Sequence, residues 1–98
     1  MRGNLGGPLR LLHTLRGDGT LLWGANGQRP VAYAIDVYGQ GQMRTASGDV
    51  RGDLANLVSR SPANVRLRFP DGFEAPVALS DIEVDTATIE LQGPPPAP

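Results

Sequence analysis

Apolar and polar positions alternate along much of this chain, and a period of two is the mark of half-buried β-strands. Residues 31–38 show it most clearly. Val31, Tyr33, Ile35 and Val37 share one face, and Ala32, Ala34 and Asp36 the other. Their β-branched and aromatic side chains suit a pleated sheet. Asn26–Gly27, just upstream, offers the two positive-φ positions of a type I′ turn, so a hairpin is predicted between 20–24 and 31–38. In residues 9–16, Leu9, Leu11, His13 and Leu15 alternate, although Pro8 and Gly17 could also frame a short helix. The β pattern that follows favours a strand, with Gly17–Asp18–Gly19 turning 11–16 back on 20–23.

After a polar turn at 39–42, residues 43–50 resume as a strand, with a kink or bulge expected at Gly48. Asp53 is a good N-cap, and Leu54, Leu57 and Val58 at i, i+3 and i+4 predict the one regular helix, over 53–60. Pro62 ends it by residue 61. So short a helix must plug the β-core rather than stand alone. Val65, Leu67 and Phe69 then face inward, with Arg66 and Arg68 outward. Pro70–Asp71–Gly72 closes a hairpin that returns Phe73, Ala75, Val77 and Leu79 to the inner face and sets Arg68 opposite Glu74. Residues 82–91 form a last strand. Its apolar phase shifts from Ile82 and Val84 to Ala87, Ile89 and Leu91, which calls for a bulge near 85–86.

The sum is an all-β or β-dominated α+β domain: a small barrel or sandwich of six to seven short antiparallel strands with one short helix. Residues 1–7 read as a flexible N-terminus, 8–92 as a single domain and 93–98 as a proline-rich tail. The helix follows three hairpin-linked strands and precedes another hairpin. In topology alone that order resembles an OB-fold barrel, and an SH3-like barrel is the alternative.

Ninety-eight residues suffice for one core and leave little room for an enclosed pocket. The nine basic residues are all arginine, as a GC-rich, bacterial codon usage would produce, so little rests on arginine as a choice. The absence of cysteine excludes disulfides, thiolate metal sites and a cysteine nucleophile. Arg10 and His13 interrupt the only N-terminal apolar run, and no stretch approaches a membrane span, so a soluble cytoplasmic location is expected.

Catalysis finds no footing. His13 is the sole histidine, and no Gly-x-Ser-x-Gly elbow occurs. Gly39-x-Gly41 lacks a third glycine and a following helix, and without lysine there is no P-loop. Asp81, Glu83 and Asp85 alternate, but the glycine and glutamate of a calcium loop are missing, and a strand would spread the oxygens apart. No metal or other cofactor is expected. Arg-Gly-Asp occurs at 16–18 and 51–53, where a turn and an N-cap account for it. Pro95-x-x-Pro98 has no flanking base, so it reads as tail.

Charge is divided unevenly. Residues 1–70 hold nine arginines against four aspartates, a net +5, and residues 71–98 hold six acids and no base, a net −6. Such asymmetry can mark an interaction surface, or it can be spent on pairs such as Arg68–Glu74 within the domain. The leading expectation is a non-catalytic module that docks on a partner protein or on itself, using Arg44, Arg66, Arg68, Glu83, Asp85 and Glu90. The alternative is a single-stranded nucleic-acid binder. It would stack bases on Trp23, Tyr33 or Tyr38 among Arg44, Arg51, Arg66 and Arg68. Exposure of Trp23 and Tyr38 among those arginines separates the two.

Overall fold

The computed structural model describes residues 8–58, 60 and 62–96. Within them, six strands form a closed barrel: β1 (Arg10–Trp23), β2 (Gly27–Gln40), β3 (Met43–Arg51), β4 (Arg66–Arg68), β5 (Glu74–Ser80) and β6 (Thr86–Leu91). Round the barrel the order is β1–β2–β3–β6–β5–β4, and every pairing is antiparallel. Two three-stranded meanders thus stand side by side, sealed where β3 meets β6 and β1 meets β4. The small all-β barrel predicted from the alternation is what forms. The expected flexible N-terminus, 1–7, lies outside the described residues.

Alternation works as expected where it is regular. Val31, Tyr33, Ile35 and Val37 point into the barrel, as do Val65, Leu67 and Phe69, Ala75 and Val77, and Ala87, Ile89 and Leu91. Leu54 and Leu57, from the β3–β4 connection, complete the same core. Pro70–Asp71–Gly72 closes the β4–β5 hairpin, with Gly72 at φ +94° and the Phe69 N–H donating to the Phe73 carbonyl at 2.8 Å.

Elsewhere the structure corrects the sequence reading. Gly17–Asp18–Gly19 is not a turn, because β1 runs straight through it, paired residue by residue with Tyr33, Ala32 and Val31 of β2. The β1–β2 turn is not Asn26–Gly27 but the three residues between Trp23 and Gly27, with Gly24 at φ +59°. The Gly24 N–H is held by the Ala63 carbonyl, which ties this turn to the β3–β4 connection. Gly48 makes no bulge: the β2–β3 register is unbroken across it, and a Cβ there would collide with the Ala34 carbonyl.

The predicted helix over 53–60 shrinks to one 3-10 turn, Ala55–Leu57, and Val58 is already extended. The backbone explains this. Gly52 and Leu54 give their N–H groups to the carbonyls of Asp85 and Val84, so the segment is stitched to the β5–β6 loop before it can wind. The phase shift at 82–91 is likewise no bulge. Residues 81–85 are a loop, opened by Asp81 at φ +50°, and β6 begins at Thr86. Phe73 lies at the lip of the barrel, 41% exposed, with its ring 6.0 Å from that of Phe69.

The barrel is closed over only part of its longest strands. β4 pairs with Thr20–Leu22 of β1, and β6 with Ser47–Arg51 of β3. The remaining lengths of β1, β2 and β3 continue past the closed section as a three-stranded ribbon.

Candidate interaction surface

The six residues expected to form a docking surface are not brought together. Arg44 sits at the tip of the ribbon opposite Gly39, its guanidinium donating back to the carbonyls of Gly41 and Met43 at 3.1 and 2.9 Å. Glu83 and Asp85 lie in the β5–β6 loop, beside Gly52 at the other end of β3. Arg44 and Arg51 are seven strand positions apart, roughly 23 Å at the usual rise. Glu90 is on the outer face of β6, between Ser47 and Ala78. Arg66 and Arg68 are on β4, with β5 between them and β6.

The expected Arg68–Glu74 pair is present. Its Nη2–Oε2 distance is 2.9 Å, and Arg68 Nε donates to the same oxygen at 2.9 Å. It is the sole ion pair among the described residues. The divided charge is therefore not consumed inside the domain: Glu83, Asp85 and Glu90 remain exposed and without ion-pair partners.

The nucleic-acid constellation is dispersed further. Tyr33 is 8% exposed and packs edge-on against Phe69, so it offers no face to a base, and that assignment is corrected here. Trp23 is half-buried against the core, and Gly27 leaves the room its indole occupies. Tyr38 is half-buried on the outer face of the ribbon, between Leu11 and Thr45. It lies some twelve strand positions from Trp23, about 35–40 Å away. Arg51 is exposed at the far end of β3. A shallow depression of about 350 Å³ gathers Gln28, Arg66 and Arg68 beside the β1–β2 turn, but Glu74 there already neutralises Arg68. Among the described residues no aromatic ring stacks on these arginines.

Asp81, Glu83 and Asp85 stand in a loop rather than along a strand face. No three His, Asp or Glu side chains among the described residues converge in a manner that could hold a metal ion. His13 faces the inner side of the ribbon opposite Val37, with Nε2 buried and without a hydrogen-bond partner.

The sequence reading missed the ribbon's open margin. From Arg10 to Arg16, β1 has β2 on one side and, among the described residues, no strand on the other. Apolar side chains crowd the same end: Leu9 is 57% exposed, Leu11 56%, Leu12 41% and Met43 67%. A β-bulge between Leu11 and His13 turns Leu12 inward over Gly39, next to the Arg44 guanidinium. The signal was present in the leucines at 9, 11, 12 and 15. Alternation marks a strand, but not which of its edges lacks a neighbour. No helix among the described residues is long and apolar enough to cross a membrane. Compared with known proteins, the chain matches no family model, no curated protein and no solved structure.

Proposed function

We propose that this domain is a non-catalytic interaction module that docks through the open margin and leucine-bearing tip of its β1–β2–β3 ribbon. The observation that carries the reading is the edge of β1 from Arg10 to Arg16, unpaired among the described residues and flanked by exposed Leu9, Leu11, Leu12 and Met43. An open edge presents a row of backbone donors and acceptors to any extended strand, and apolar neighbours supply the burial that hydrogen bonds alone do not. Arg10, Arg16 and Arg44 add positive charge at that end, which favours an acidic or strand-forming partner. A bacterial, cytoplasmic setting belongs to the same proposal; what supports it is the lysine-free, arginine-only basic composition together with the lack of cysteine.

Nuclear magnetic resonance titration of the labelled full chain tests this. A short peptide of alternating threonine and valine, with a glutamate at each end, should shift the amides of residues 10–16. Oligothymidine should shift none. A response to oligothymidine centred on Trp23, Arg66 and Arg68, fading steeply with added salt, would instead establish the nucleic-acid reading. Silence towards both probes would remove the docking role from this edge.

A further inference from the structure

Resting on that reading, we infer that the natural occupant of the edge is a second copy of this chain. Residues His13–Gly17 of the two copies pair antiparallel about a two-fold axis at Leu15, and Arg16 of each reaches Asp36 of the other.

Three features of the edge lead there. The stretch of β1 left unpaired among the described residues, Arg10–Arg16, contains no proline, and its one bulge lies at the distal end, at Leu12. The edge is also ionically self-complementary. Asp36 on β2 lies directly across from Thr14, whose hydroxyl donates to its Oδ1 at 2.7 Å. Neither Asp36 nor Arg16 has an ion-pair partner among the described residues. Arg16 and Asp36 thus stand on the same sheet face, one strand apart, each without an ion-pair partner among the described residues, and Asp18 lies two residues along from Arg16 on that face. Finally, a net charge of −1 leaves little general repulsion between copies.

Pairing rules narrow the register. In a two-fold antiparallel pair, residues facing each other must lie on the same face of the joined sheet, which excludes any register that sets an odd-numbered residue opposite an even-numbered one in 13–17. An axis at Arg16 would set guanidinium against guanidinium, which is destabilising. An axis at Thr14 would set Arg16 against the inward-turned Leu12. With the axis at Leu15, the two Leu15 side chains meet on the inner face, and Arg16 of one copy stands opposite Thr14 of the other. The order across the joint is then Asp36, Thr14, Arg16. Asp36 and Arg16 are two strand spacings apart, roughly 10 Å between Cα atoms, a span their two side chains close between them.

Five residues of pairing make a small interface, so the dimer is weak and concentration-dependent. Sedimentation equilibrium of the full chain from about 10 µM to about 1 mM should show monomers becoming dimers. Arg16→Asp alone and Asp36→Arg alone should each raise the dissociation constant at least about tenfold, and the double variant should return it to within about threefold of the original. Unfolding midpoints of each variant confirm that the barrel is intact. A chain monomeric throughout that range overturns self-pairing, as do single variants that associate undiminished or a double variant that is not restored. If the chain is monomeric while the threonine–valine peptide still moves residues 10–16, self-pairing fails alone and the edge keeps its docking role for another protein.

Discussion

The rings of Tyr33 and Phe69 cross at 74° with their centroids 5.1 Å apart, and the Tyr33 ring lies over Gly17 and Gly19 of the neighbouring strand. A Cβ on Gly17 would come within 2.8 Å of the Tyr33 hydroxyl, and one on Gly19 within 3.3 Å of its ring and nearer still to the Arg68 carbonyl. These glycines serve packing, not chain reversal. Gly19→Ala should therefore cost about 1–3 kcal/mol, because a backbone carbonyl and a buried ring cannot both move aside. Urea unfolding measures it, and an unchanged midpoint would mean that ring and backbone give way freely.

The Arg68–Glu74 pair should matter far less. The two side chains are 46% and 36% exposed, and exposed pairs contribute about 0–1 kcal/mol after solvent screening. Glu74→Gln is expected to stay inside that range and to lose its effect in high salt. A change several times larger would show that Glu74 supports something besides Arg68, such as the wall of the depression it shares with Gln28 and Arg66.

Gly72 at φ +94° is a different case, since no neighbour lies within 4 Å of a Cβ built there. The restraint is the backbone alone. Gly72→Val should lower stability by about 1–2 kcal/mol, because a β-branched residue tolerates positive φ poorly. Equal unfolding midpoints for the two proteins would mean that the hairpin relaxes to another turn type.

The parts legible in the sequence are those where one local signal determined the answer. Residues 31–37 alternate without interruption, and Pro70–Asp71–Gly72 has a single low-energy hairpin solution, so both elements and the Arg68–Glu74 pairing followed. Glycine misled because it has two uses. Gly17 and Gly19 flank an aspartate as they would in a turn, yet they exist to clear space for a ring contributed by another strand. Leu54 and Leu57 were correctly placed in the core, but i, i+3 spacing does not separate one 3-10 turn from two α-turns. The choice came from Asp85 and Val84, thirty residues on. The open β1 edge was illegible for a related reason, since it depends on β4 pairing with only Thr20–Leu22.

Tyr33 also gives the barrel an alkaline limit. Burial raises its hydroxyl above the ordinary 10.0, and the carboxylates of Asp71 and Asp18 push it the same way. Each cause disfavours the phenolate in the folded chain, whereas in the unfolded chain the phenol ionises normally near pH 10. Below that pH both states keep the proton and Tyr33 adds no pH dependence. Above it the unfolded state releases the proton first, so the folded state holds more protons and stability falls as pH rises. Urea midpoints measured from pH 8 upward should stay level to about pH 10 and then decline. Tyr33→Phe should flatten that decline while leaving the ring contact with Phe69 in place. If the variant declines as steeply as the original, the alkaline loss belongs to another group and the Tyr33 hydroxyl is better solvated than its burial among Gly17, Gly19 and Phe69 implies.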